Sequence, residues 1–109
     1  MDMKEKESDI VRACLEYLKH RGIFSWRNNT AGIFNQKTGG YFFHGIAGVS
    51  DILGIIPNSG KLLAVECKTA KGRLSPAQEI FQTMISDNEG IAITARSVDE
   101  LAHDLIGII

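Results

Sequence analysis

The chain predicts an α/β fold in which helices flank a mixed central sheet. Three observations carry that expectation: residue spacing switches between helical and strand-like periods, two near-continuous apolar runs read as central strands, and a well-capped helix separates the second run from a further strand. With 109 residues, the sequence is expected to form one domain over 1–109, enough for a single hydrophobic core and too little for a second.

From about Lys4 to Arg21, the apolar residues Ile10, Val11, Cys14, Leu15 and Leu18 recur at three- and four-residue intervals, and Gly22 supplies a stop. Ile23 to Arg27, β-branched and aromatic, reads as the first strand. Asn28 to Gly48 is rich in Gly, Asn and polar residues; within it Gly39-Gly40 is a turn that would pair Ile33–Phe34 with Tyr41–His44 as a short hairpin. Val49 to Ile56 and Leu62 to Lys68 are the two central strands, joined by the tight turn Pro57-Asn58-Ser59-Gly60.

Ser75 is placed to cap a helix, with Pro76 at its first position and Gln78 able to close a capping box. That helix runs to about Asp87, with Ile80, Phe81, Met84 and Ile85 as its apolar face, and Gly90 leads into a strand from Ile91 to Ala95. Ser97-Val98-Asp99-Glu100 is a second capping box, opening a last helix that uses Leu101 and Leu105 as core contacts. Strands on either side of the Ser75 helix should pair in parallel through a right-handed crossover.

Apolar residues at 44% and charged residues at 23% fit a soluble globular protein, not a disordered or membrane-embedded one. Met1 to Asp9 is charged, and nowhere do eighteen apolar residues run together, so the cytoplasm is the expected location and no membrane partner is expected. Cys14 and Cys67 lack the paired spacing of a zinc site and read as buried thiols in a reducing compartment. His44 has no cysteine or second histidine at ligand spacing, while His20 and His103 read as helix-surface residues. A formal charge of −1 gives little overall attraction to nucleic acid, so any such binding must rest on clustered Lys and Arg, on metal ions, or on a surface doubled by an oligomer.

The chemistry lies in Asp51 and, after fourteen intervening residues, in Glu66-Cys67-Lys68. Neighbouring strands joined by a tight turn bring the two acids together. Strand alternation projects Glu66 and Lys68 from one face, about 6.7 Å apart along the backbone, while Cys67 turns to the other. Phosphodiester hydrolysis needs an activated water and positive charge to meet what accumulates on the phosphate. A hard divalent cation, Mg²⁺ or Mn²⁺, supplies both and prefers oxygen ligands at about 2.1 Å for Mg²⁺. Asp51 and Glu66 are the expected carboxylate ligands, the Cys67 backbone carbonyl is placed to be a third, and Lys68 would orient the attacking water and balance phosphate charge. Against this, E-x-K alone occurs on many solvated strand faces, and an isolated Asp51 could be a turn or cap residue. Both bland readings are disfavoured because the acids sit in apolar strands, where an unpaired carboxylate is costly.

These residues and their flanks resemble the PD-(D/E)XK nuclease superfamily, whose core is that of the restriction endonucleases, and within it the VRR-NUC (virus-type replication-repair nuclease) domains. The resemblance rests on Gly48-Val49-Ser50-Asp51-Ile52-Leu53, on Val65-Glu66-Cys67-Lys68, and on Gly72-Arg73-Leu74-Ser75-Pro76-Ala77-Gln78. Ser50-Asp51 stands where the superfamily has Pro-Asp, a departure that leaves the acid in place. The resemblance implies an active site of Asp51, Glu66, Lys68 and Gln78, and an outer metal ligand from the first helix, for which Glu7 is the leading candidate and Glu5 and Glu16 stay open. For Gln78 the capping box is a competing explanation, and for Glu7 the helix dipole is.

Arg27, Asn28 and Asn29 after the first strand, and Lys71 and Arg73 after Lys68, are candidate contacts to a DNA backbone or else ordinary solvated loop residues. Aromatic residues Tyr41, Phe42 and Phe43 would make the Thr30–Gly48 loop either a substrate- or dimer-contacting flap or part of the core. The resemblance further implies a Mg²⁺- or Mn²⁺-dependent endonuclease selecting DNA structure, similar to Holliday-junction resolvases, in which a homodimer meets a symmetric four-way junction. A non-catalytic nucleic-acid-binding or interaction module on the same fold is the alternative.

Overall fold

The computed structural model describes residues 6–28, 33–35, 37, 39–42 and 45–109. Glu5, Asn29, Phe43 and His44, the side chains of Tyr41 and Phe42, and much of the proposed Thr30–Gly48 flap therefore lie outside the described residues.

Elements follow in the order α1 (Glu7–His20), β1 (Phe24–Arg27), β2 (Ile33–Asn35), β3 (Gly40–Phe42), β4 (Ile52–Ile55), β5 (Leu62–Cys67), α2 (Pro76–Asp87), β6 (Ile91–Ala95) and α3 (Val98–Asp104). One sheet has the order β1-β4-β5-β6, antiparallel except for the parallel pair β5–β6 on either side of α2. The mixed sheet with flanking helices is the expected fold. β2 and β3 pair as the expected hairpin, Ile33 opposite Phe42, and pack extensively on no other element among the described residues.

Local chemistry explains the boundaries. Gly22 ends α1 with φ of +74°, a left-handed value that glycine adopts without steric cost. The turn after β4 likewise has Asn58 at +71° and Gly60 at +73°, and Ile56 donates to the Lys61 carbonyl across it. Ser75 accepts from the Gln78 amide at 3.1 Å while the Gln78 side chain accepts from the Ser75 amide at 2.8 Å, closing the capping box.

Alternation along β5 divides the molecule into two faces. Leu63, Val65 and Cys67 join Ile52, Ile93 and Ala95 in a core sealed by Ile10, Val11, Cys14 and Leu18 of α1 and by Leu101 of α3 with Leu105 just beyond it. Each such large aliphatic side chain stabilises the fold by about 1.5–3 kcal/mol when fully buried. Ala64 and Glu66 face the other way, toward α2. That helix turns its glutamines to the sheet, Gln78 to Glu66 and Gln82 to Thr94, so Ile80 and Met84, expected as core contacts, are exposed and only Phe81 and Ile85 are half-buried.

Among the described residues no helix is long and apolar enough to cross a membrane.

Candidate metal centre

β4 begins at Ile52, so Asp51 lies at a bend just before the strand and not, as its apolar neighbours suggest, inside it. The ladder explains the difference. Extending the β4–β5 register would place Ser50 opposite Cys67, yet the Cys67 amide donates to the Asp51 carboxylate at 2.8 Å. A side-chain oxygen thus replaces a ladder carbonyl, while the Asp51 carbonyl accepts from the Asn28 amide at 2.8 Å on the other side. Both bonds lock Asp51 between the two neighbouring strand ends.

Glu66, opposite Asp51 by the same register, is only 2% exposed. Its Oε1 accepts from Gln78 Nε2 at 3.1 Å, but Oε2 is buried with no hydrogen-bond partner among the described residues. Desolvation, reinforced by the neighbouring Asp51 carboxylate, pushes the Glu66 acid up to about 8, with Lys68 opposing the shift and Glu7 adding to it. Lys68 follows directly on the same face, 9% exposed, and its amide donates to the Ala95 carbonyl at 3.0 Å.

From α1, Glu7 completes the group. One carboxylate oxygen each from Glu7, Asp51 and Glu66 lie within 4.8 Å of one another. Three converging acids, one with a buried oxygen lacking a donor, fit a hard divalent cation better than they fit one another. The ligand atoms are all oxygen, which disfavours a zinc- or copper-type site. Glu16, left open from sequence, is exposed and outside this cluster.

Gln78 closes the cap with its carbonyl oxygen and also donates from its amide nitrogen to Glu66. Ser75→Ala should therefore cost about 0.5–2 kcal/mol of stability through the lost cap and also loosen Glu66. Thermal melting and cleavage assayed on one preparation would check both effects.

The four candidate nucleic-acid contacts divide. Lys71 and Arg73 are exposed in the loop after Lys68, and Asn28, which bonds to Asp51, has its side-chain nitrogen buried without a partner among the described residues. Arg27 is in register with Ile52 and, through it, Val65, which puts it on the α1 side of the sheet, away from Glu66.

Cys14 and Cys67 are both buried, as expected, and the Cys67 thiol is pushed up by the hydrogen-bonded Cys14 thiol and by burial. Cys67 is thus not poised as a reactive thiolate.

Two contributors were given no role of their own by the sequence. Gly48 has φ of +80°, and a Cβ there would come within 2.3 Å of the Ala77 carbonyl group and 2.7 Å of the Gln78 nitrogen. The segment leading to Asp51 thus rests directly on the first turn of α2. Its only signal was a glycine three residues before the acid. Arg96, with no local signal, donates from Nη1 to carbonyl oxygens of Thr69 and, at 2.8 Å, Gly72.

No curated protein and no solved structure matches the chain. Among protein families, the VRR-NUC domain matches residues 5–99, a span holding Glu7, Asp51, Glu66, Lys68 and Gln78. With that match over most of its length, the chain belongs to the VRR-NUC family of nuclease domains.

Proposed function

We propose that the protein is a Mg²⁺- or Mn²⁺-dependent, structure-selective DNA endonuclease that acts as a homodimer on Holliday or other branched junctions. The observation that carries the metal-dependent part is the convergence of Glu7, Asp51 and Glu66 beside Lys68, with a buried Glu66 oxygen lacking any donor among the described residues.

Asp51, Glu66, Glu7 and the Cys67 carbonyl would hold the ion, which when bound supplies Lewis acidity at the scissile phosphate. Cys67 offers its carbonyl on the same strand edge as its amide, the edge that already faces Asp51. Gln78 keeps Glu66 oriented. Lys68 holds the attacking water and balances charge on the phosphate as the water oxygen bonds to phosphorus, the bond to the leaving oxygen breaks, and the proton lost by the water is matched by one taken up from solvent by that oxygen. Lys71 and Arg73, exposed in the loop after Lys68, would grip the sugar-phosphate backbone around that point.

Support for a dimer is an apolar row on the face that carries Glu66. Phe24, Ile55 and Leu62 pair across three strands and are 71%, 43% and 36% exposed, and Trp26, 39% exposed, stacks edge-on against Phe24. A second copy covering this row would set two sites against a two-fold junction.

Cleavage of synthetic four-way junction, flap and linear duplex DNA with Mg²⁺ or Mn²⁺ tests the substrate, and light scattering of wild type and Phe24→Asp tests the dimer. Preference for the junction and loss of the dimer in the variant are expected. Equal cutting of linear duplex would defeat the structural selectivity, and a monomeric wild type would defeat the pairing.

The Glu66 environment adds a pH signature. Its folded-state value of about 8 lies above the ordinary 4.5, so its neutral form favours folding. That contribution is fully present below pH 4.5 and is lost as pH rises through about 8. The melting temperature of EDTA-treated protein should fall across this window, and the fall attributable to this group should vanish in Glu66→Gln. Mn²⁺ affinity should rise over the same range, because the ion needs the carboxylate; calorimetry in two buffers would read the released proton.

A further inference from the structure

Resting on the nuclease reading of Lys68, we infer that Arg96 is a positioning residue that sets the Lys68 ammonium by holding the 69–72 turn against its stem. Arg96 immediately follows β6, and the parallel register that pairs Cys67 with Ala95 brings it alongside Lys68. It does not reach the three acids of the cluster. Instead Nη1 donates to the carbonyls of Thr69 and Gly72, the latter at 2.8 Å, with a longer approach to Ala70 at 3.4 Å. Gly72 itself donates to the Thr69 carbonyl at 3.0 Å, so the turn is closed from within and gathered from behind.

The inner wall of that turn is Gly72. A Cβ built there would stand 3.4 Å from both Cβ and Cδ of Lys68 and 3.3 Å from Thr69 Oγ1. Room for about one methyl group thus separates the turn from the lysine stem, so the stem runs close beside the turn. A four-carbon side chain has several rotamers open to it on a free surface; here its course is narrowed by a backbone that one guanidinium holds in place. Charge-assisted bonds to carbonyl oxygens are stronger than neutral ones, which suits a half-buried arginine whose Nη1 meets only backbone acceptors. Loss of the clamp would leave Lys68 present but free to swing away from the reacting phosphate.

The test is Arg96→Gln in the full-length protein, with kcat and KM measured on the best-cleaved DNA. A misplacement of about 1 Å at a reacting group costs on the order of 10²-fold, so kcat should fall about 10- to 100-fold. KM and Mn²⁺ affinity by calorimetry should stay within twofold, and amide hydrogen exchange at residues 70–72 should quicken. In a Lys68→Ala background, adding Arg96→Gln should cost nothing further, since both changes remove the same function. Gly72→Val, whose methyl groups extend past a Cβ already at contact distance from the lysine stem, should lower kcat several-fold and serves if Arg96→Gln folds poorly. Wild-type kcat in both variants overturns the inference, as does an equal loss from Arg96→Gln with and without Lys68. A rise in KM at constant kcat would assign Arg96 to DNA binding instead. No cleavage by wild type would strike the nuclease reading of Lys68 itself and remove the inference with it.

Discussion

Asp51→Asn should leave the fold standing and reduce metal-dependent cleavage on the order of 10³-fold, a loss typical of removing one group that stabilises transition-state charge. The asparagine keeps an oxygen for the Cys67 amide, now 2.8 Å from Asp51 Oδ2, and so preserves the strand-to-strand link. What disappears is a negative charge. Since Asp51 is one of the causes that hold the Glu66 acid up at about 8, Glu66 in the variant should titrate closer to 4.5, and the pH slope of stability in EDTA should shrink with it. Asp51→Ala differs in a useful way: it also orphans the Cys67 amide, adding about 1–3 kcal/mol of destabilisation. Measuring melting temperature, Mn²⁺ uptake and cleavage for both variants separates the structural duty of Asp51 from its chemical one. Retention of more than half the wild-type rate by Asp51→Asn would remove Asp51 from the site.

Gly48→Ala should be strongly damaging for the addition of a single methyl group. Two costs meet there. A non-glycine residue at φ of +80° is strained by about 1–2 kcal/mol, and a Cβ 2.3 Å from the Ala77 carbonyl group overpacks against helix backbone, at about 1–3 kcal/mol. Rotamer changes cannot relieve the clash, because the opposing atoms are main-chain. Relief requires the segment before Asp51 to lift off α2, which separates Asp51 from the helix turn that carries Gln78, the partner of Glu66. Cleavage should therefore fall together with a stability loss of about 2–5 kcal/mol, read by urea denaturation. Gly45→Ala is the control: its φ is +90° but nothing among the described residues lies within 4 Å of the added Cβ, so the strain is the cost expected there. Equal stability losses in the two variants would show that the contact with α2 contributes nothing.

Much of the site was legible because its main parts are coded locally. Alternation put Glu66 and Lys68 on one face, and the short turn at Pro57–Gly60 brought Asp51 opposite Glu66. Ser75, Pro76 and Gln78 announced a helix start from four consecutive residues. Periodicity misled in α2, where Ile80 and Met84 have core-like spacing but are exposed. The sheet beneath presents Glu66 and Thr94, and buried polar groups draw hydrogen-bonding partners toward them, so Gln78 and Gln82 take the inward positions. For Asp51, the neighbouring isoleucines spoke for a strand interior, and a side-chain acceptor replaced the ladder bond that would have put it there.

By itself, the sequence determined the succession of helices and strands, the parallel joining of the strands around α2, and the carriage of two acids and a lysine toward one face, because those depend on patterns spanning a few residues. Tertiary structure alone decided that Glu7 arrives from α1 beside two acids 44 and 59 positions further along the chain, that Gly48 seats against Ala77, and that Arg96 reaches back to Thr69 and Gly72. Those meetings depend on how helices and turns settle on the sheet, a balance of burial and long-range hydrogen bonding that no local pattern encodes.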